Sequence, residues 1–428
     1  MTKAVVWTRL AAFCAGVVLG GSAIGGENWT SFRGPSDQGQ CDSANLPLRW
    51  SETENVAWKT PIRGKAWSSP VVWGDRIWLT NAPEEGTQLS AICVDKNSGK
   101  ILLNQRVHFV AGPQYCHPFN SYASPSPVIE EGRVYVSFGS PSTACLDSTT
   151  GEILWKRTDF ACNHFRGPGS SPFIYKDLLI LHFDGSDRQY IAAMNKHTGE
   201  TVWKTDRSVD FQDTDPETGG PTREGDYRKA FSTPVIAQSG GKPLLVSLAS
   251  MALYGYDPET GTELWRVEAI GSHSGSSRPV VGDGVVYSSL GFKTGLFAIK
   301  PDGRGVFDIS HALWHYTGAV PKRSSVVLAG GLLFMADDDG VAACIDTATG
   351  EEVWKTRLGG NFSASPIHVA GRIYFFDQEG TTTVIEAAPE FNKIAVNELD
   401  DGFMASPAVS GDALYLRTKT ALYRIEKR

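Results

Sequence analysis

The sequence predicts an all-β protein: an eight-bladed β-propeller of four-stranded antiparallel blades, closed by pairing an N-terminal strand with the C-terminal blade. Three observations carry this. A phrase Asp-x-x-Thr/Ser-Gly-x-x-x-Trp-Lys/Arg returns along the chain, as at Asp147, Thr150, Gly151, Glu152, Trp155 and Lys156. Its other copies include Gly199–Lys204, Asp257–Arg266 and Asp346–Lys355, and self-similarity at a period of about 40–50 residues is the mark of a propeller or solenoid. The composition agrees, with 45 Gly, 12 Trp and 11% aromatic residues in 428, as short strands joined by tight turns require. Finally, an orphan strand, Asn55-Val56-Ala57-Trp58-Lys59-Thr60, carries the same Trp-Lys phrase far from any complete blade.

The N-terminus reads as an export signal. Lys3 and Arg9 precede an apolar run from Leu10 to Leu19, and Gly20-Gly21-Ser22-Ala23 offers small residues for cleavage. The run is short for a bilayer span, and Phe13 makes Cys14 a poor lipid acceptor. The expected organisation is a signal over 1–23, an extension over 24–54 and the propeller over 55–428, in a periplasmic or secreted protein that does not span the membrane after cleavage.

Each repeat opens with Ser-x-Pro-Val on an inner strand. The openings fall at Pro70, Pro127, Pro172, Pro234, Pro279, Ser325 in place of Pro, Pro366 and Pro407. A Gly-containing turn, an alternating strand, a third strand ending near Asp, and the Thr-Gly turn into the Trp strand complete each blade. Blade 5 has a longer version ending at Trp314, while Leu103 and Val396 stand near the Trp place in blades 1 and 7. The eighth blade stops at Arg428 after three strands. The orphan strand supplies its fourth, which removes an exposed edge. In each repeat the Gly takes the strained turn position, the Asp accepts turn amides and the Trp fills the gap between blades.

Three cysteines, Cys93, Cys145 and Cys344, share one repeat position and read as small buried hydrophobes. The net charge is −7 with no Lys/Arg block, which excludes nucleic acid as a partner.

The phrase Ala-x-Asp-x-x-Thr-Gly-x-x-x-Trp around a ring resembles the pyrroloquinoline quinone (PQQ) repeat family, which includes quinoprotein alcohol dehydrogenases and an outer-membrane assembly lipoprotein. The resemblance covers nearly all of 55–428. The stretches Trp29–Pro35, His117–Ser124 and Gly167–Pro172 are similar to a secreted bacterial subgroup. The resemblance implies the scaffold, and for the dehydrogenases PQQ with Ca²⁺. Those enzymes also carry adjacent cysteines against the cofactor, whereas no two cysteines adjoin here.

Propeller ligands bind where blade-joining loops meet the loops between strands two and three. Three such joins are long, Phe109 to Ala123, Phe160 to Gly169 and Ser208 to Ala230, and long loops on a compact scaffold carry function. Ligand-face candidates from these and the other joins are Trp67, His117, Asn120, His164, Arg166, Arg228, His273, Arg323 and Asn361. The arginines suit a carboxylate-bearing ligand or pair with channel acids. Cys116 and Cys162 adjoin His117 and His164. A Cys116–Cys162 disulfide, a zinc site using all four, and unrelated side chains all stay open. Asp210, Asp213 and Asp215 are weak calcium candidates, without the spacing of an EF-hand. No catalytic constellation stands out.

The leading expectation is a monomeric, non-catalytic binding or scaffold protein whose partners are cell-envelope proteins. The alternatives are a quinoprotein-type oxidoreductase using PQQ with Ca²⁺ and a carbohydrate-binding propeller.

Overall fold

The computed structural model describes residues 28–42, 44–292 and 295–428. The expected export signal lies outside the described residues.

Eight sheets form the ring. Seven blades follow in chain order over 71–109, 128–157, 173–206, 235–268, 280–316, 327–357 and 367–398. The eighth combines 408–425 with 56–61. Val56–Pro61 pairs antiparallel with Ala421–Ile425, in a register that sets Trp58 opposite Arg424 and Pro61 opposite Ala421. The two ends of the chain thus share one blade, as the orphan Trp-Lys strand predicts.

The recurring Trp bridges blades. Trp155 of blade 2 donates its indole N–H to the Lys196 carbonyl of blade 3 at 2.9 Å, and its ring covers Gly199, where φ is +76° and a Cβ would lie 2.8 Å from the indole. Trp58, Trp203 and Trp314 donate likewise to Lys96, Pro258 and Thr347 of the following blades. Within their own blades four of the repeat tryptophans face a small partner. Trp155 opposes Cys145, Trp354 opposes Cys344, Trp203 opposes Ala193 and Trp265 opposes Gly255, with a bulge at the next pair. A Cβ on Gly255 would collide with the Trp265 ring. The shared cysteine position is therefore the small residue opposite the indole in blades 2 and 6 and opposite Leu103 in blade 1, and Cys93, Cys145 and Cys344 are all buried. At the turns Asp147 Oδ1 accepts the amides of Thr149 and Thr150 at 2.8 and 2.7 Å.

Three expectations shift by local geometry. In every other blade the inner strand begins one residue after its Pro, and in blade 6 it begins at Val327. Val326, not Ser325, therefore takes the Pro place, and Ser325 takes the preceding hydroxyl position. The last strand of blade 5 does not end at Trp314 but runs Trp314–Tyr316. The residues before it make a strand, Gly305–Asp308, that pairs parallel with blade 4. In blade 7 the bulge puts Ala395 rather than Val396 in the Trp place, opposite Val384.

The N-terminal segment closes one end of the channel. Trp29 bridges Val72 of blade 1, the Thr30 carbonyl accepts from Ile129 N of blade 2, and Gln40–Cys41 pairs parallel with blade 7. Arg33 is buried and donates to the carbonyls of Pro366 and Val326 at 2.9 and 2.7 Å. Arg278 rises to meet this plug, donating to the Phe32 carbonyl at 2.6 Å and to Asp37 at 2.9 Å. Inner strands short of partners at their axial side thus find them in the Trp29–Pro35 stretch.

Candidate functional site

Above the plug the channel opens into a funnel of about 510 Å³. Its floor is Phe32. Its lower wall is a ring of hydroxyls, one from the residue two before the inner strand in every blade but the fifth. Ser69 N donates to Ser126 Oγ, Ser126 N to Ser171 Oγ and Ser171 N to Thr233 Oγ1, at 2.8 to 3.0 Å. Beyond the gap at blade 5 the ring resumes from Ser325 N to Ser365 Oγ, Ser365 N to Ser406 Oγ and Ser406 N to Ser69 Oγ. Arg278 replaces the hydroxyl in blade 5, and its amide donates to Ser325 Oγ. The Ser-x-Pro openings are structural, as expected. Because each oxygen accepts an amide, each hydroxyl proton is left to donate.

The upper wall comes from the blade-joining loops. Six of the sequence candidates line it: Trp67, His117, Asn120, Arg166, His273 and Arg323. Trp67 is fixed by its indole N–H to the Phe119 carbonyl at 3.0 Å. His117 Nδ1 accepts from Phe119 N at 3.1 Å, which puts its proton on Nε2. Burial and the cations Arg166 and Arg323 hold its pKa below the usual imidazole value. Asn120 ties two loops by donating to the carbonyls of Arg166 and Pro168. His273 stacks between Tyr227 and Phe292, with ring centroids 4.3 and 5.3 Å away. Arg323 lies over the Phe119 ring at 4.3 Å and pairs with Asp338 at 2.7 Å. Burial holds the Asp338 carboxyl above its usual range despite that partner.

Sequence reasoning missed the center of charge. Asp226 was legible only as one acid of the third loop, and Lys229 not at all. Arg166 grips Asp226 through Nε and Nη2 at 3.0 and 3.2 Å. Lys229 Nζ bonds both the Asp226 carboxylate and its carbonyl. Burial alone would raise the Asp226 carboxyl, but these hydrogen bonds outweigh it and hold the group ionised. Burial lowers the Lys229 ammonium, partly offset by Asp226. The available signal was position: both residues lie in the last turn before the Ser232-Thr233-Pro234 opening.

The remaining candidates lie elsewhere. His164 is buried behind the wall, accepting from Ser140 N at 2.9 Å. Arg228 is bound to Asp213 and covers Phe211. Asn361 bonds Glu379 rather than facing the funnel.

The Cys116–Cys162 bridge is not made, for both are free thiols. Their loops do meet, but through Gln114 to the Cys162 carbonyl and His117 N to the Arg166 carbonyl. Each sulfur packs separately, Cys116 against the Arg166 carbonyl and Cys162 near His164 Nδ1. Burial pushes the Cys116 thiol up to about 11 and Cys162 well above its usual value. The zinc alternative also lapses, since among the described residues no three His, Cys, Asp or Glu side chains converge. The calcium candidates are spent locally: Asp213 on Arg228, Asp215 on the amides of Glu217 and Thr218, and Asp210 on Gln212 N. Asp337 caps its own turn.

The funnel can therefore hold a flat ligand against aromatic surfaces while cations and hydroxyls take its anionic groups. The volume is that of a small-molecule site. Calcium fits poorly, because it needs six to eight oxygens and Asp226, already engaged, is the one carboxylate among the described lining residues.

Known proteins share this architecture. The chain is 25% identical over 225 residues to quinoprotein ethanol dehydrogenase of Pseudomonas putida, a match covering 49% of this chain and 34% of that protein's length. Among solved structures, a europium-containing methanol dehydrogenase superposes with a TM-score of 0.68 at 11% identity, over 92% of this chain and 90% of that one. BamB from Moraxella catarrhalis gives 0.57 at 13% identity, over 87% and 98%. At these identities the superpositions show the fold. A family model described as outer membrane protein assembly factor BamB matches residues 49–187, 187–304 and 307–390. The chain therefore belongs to this family of PQQ-like repeat β-propellers.

Proposed function

We propose that the protein binds a planar, multiply carboxylated quinone of the PQQ type in the funnel and serves as a quinoprotein-type oxidoreductase of the cell envelope. The observation that carries the reading is the convergence of Arg166, Lys229 and Arg323 with Phe119, Phe231 and Phe292 around one blind cavity. Charge-assisted hydrogen bonds from guanidinium and ammonium groups suit carboxylates, and aromatic faces suit a flat ring. The quinone, when bound, supplies two-electron acceptance from an alcohol or sugar. The chain supplies orientation: His117 Nε2 is a donor, Asp226 an ionised acceptor for a substrate hydroxyl, and the plug beneath Phe32 shuts the far end against water. The dehydrogenase relatives support this assignment over a purely structural one. Export to the envelope accords with the assembly-factor description of the family model, and no helix among the described residues is long and apolar enough to cross a membrane.

A second reading has its own observation. Both Asp226 oxygens are taken by cations, which weakens it as a general base. That favours a non-catalytic ring docking envelope proteins. A carbohydrate groove would want several tryptophans on one face. Trp67 is the one Trp among the described lining residues, while the repeat tryptophans stand between blades. Dye-linked oxidation of alcohols and sugars after incubation with PQQ separates the first two readings. Turnover that depends on added PQQ is expected. Binding of PQQ without turnover on any such substrate would support the docking platform.

A further inference from the structure

We propose that the funnel takes its carboxylated ligand without a metal ion, the cationic charge at its wall being the Lys229 ammonium locked onto Asp226 and flanked by Arg166 and Arg323. The inference rests on the quinone reading and specifies how the site would hold such a molecule.

Three features point to it. The Lys229 side chain is only 2% exposed yet borders the cavity, so its charge is held at a fixed place rather than on a mobile surface arm. Its anchor is internal: Asp226 supplies both a carboxylate oxygen and its own carbonyl. A buried cation so fixed can offer its remaining proton to a ligand at little cost in reorganisation.

The donor set also suits the alternative badly on its own chemistry. A divalent cation asks for several free oxygens. Asp226 already serves Arg166 and Lys229. Asn120 Oδ1 accepts from Ser124 Oγ at 2.6 Å. The oxygens of Ser69, Ser126, Ser171, Thr233, Ser365 and Ser406 each accept a backbone amide. Each keeps a hydroxyl proton that can turn to an anion, and the one lone pair left on a neutral hydroxyl is a weak ligand for a divalent cation without free carboxylates beside it.

The charge count agrees. Arg166, Lys229 and Arg323 face one lining carboxylate, Asp226. Counting Asp338 behind Arg323 as well leaves three cations against two acids among the described residues. A carboxylated ligand thus enters a site of opposite sign whether or not a metal comes with it.

The test is equilibrium titration of the full chain with PQQ in two arms, one with EDTA and one with saturating Ca²⁺. The expected result is the same dissociation constant in both, within about twofold. Lys229→Gln should weaken binding about 10–100-fold, the effect of one charge-assisted hydrogen bond, and Lys229→Arg should recover part of it. Should Lys229→Gln not fold, as its melting curve will show, Arg323→Gln at the half-exposed rim tests the same charge. Binding that appears only with Ca²⁺ would overturn the metal-free site and leave the quinone reading standing. Absence of binding in both arms would overturn both.

Discussion

Asp184→Ala is expected to cost about 3–5 kcal/mol of stability, the size found when one partner of a buried ion pair is removed. Asp184 and Arg207 have side chains 1% and 0% exposed. Arg207 holds both carboxylate oxygens at 2.9 and 2.8 Å, then reaches across to Ser247 Oγ and Tyr256 Oη of blade 4. The pair therefore belongs to the joint between blades 3 and 4. With the carboxylate gone the guanidinium is left buried without a counter-charge, and its neighbours, the faces of Tyr254 and Tyr256, replace only part of the loss. Against a typical total of about 5–15 kcal/mol, this is a large share. Urea denaturation of the wild type and variant measures it. The double variant Asp184→Leu, Arg207→Met removes both charges and is expected to be less destabilised than the single one; equal or greater damage would show that packing, not the ion pair, is what matters there.

Acid is expected to weaken the ring before its carboxylates titrate. His164 and His182 are fully buried. Burial holds the His164 imidazole down at about 4. Burial, with Arg207 and Arg278 nearby, holds His182 well below its usual value. Both are neutral in the fold and gain protons near pH 6.5 once unfolded, so the unfolded chain binds more protons in this range and stability rises with pH. The loss on acidification starts near pH 6.5 and for His164 levels off near pH 4. At about 1.4 kcal/mol per pH unit for each group at full slope, the two together remove about 4 kcal/mol between pH 7.5 and 5. Denaturation midpoints at pH 7.5 and 5.0 should show this fall, and His164→Gln and His182→Gln should each flatten it by about half. A pH-independent midpoint would mean that these imidazoles are solvated.

The fold was legible because its signals are local and repeated. The Trp, the Gly beneath the neighbouring Trp and the Asp at the turn recur at fixed spacing, and the orphan Trp58-Lys59 strand could be matched to the blade that lacked one. The plug was not legible. Trp29–Pro35 stands out as a stretch, but its partners are Val326, Pro366 and Arg278, some 240–330 residues away, and nothing in the local pattern encodes such pairings. The funnel was half legible. Loop position alone placed Trp67, His117, Asn120, Arg166, His273 and Arg323 on it. That same argument brought in Arg228 and Asn361, because it fixes where a loop runs but not which way a side chain turns. Lys229 and Arg228 are adjacent in sequence, yet one faces the cavity and the other Asp213. The cysteines show a further limit: the neighbouring loops that carry them do meet, but through hydrogen bonds to backbone carbonyls, and the sulfurs point into separate packing.

The most direct measurement is isothermal titration of the protein with PQQ, alongside the Arg166→Ala, Arg323→Ala double variant checked by thermal melting to be folded. A funnel built for a carboxylated planar ligand predicts saturable one-to-one binding to the wild type and at least about tenfold weaker binding to the variant, the cost of losing one or two charge-assisted contacts. No binding to the wild type, or binding that the double variant leaves unchanged, would contradict the assignment of this funnel as the quinone site.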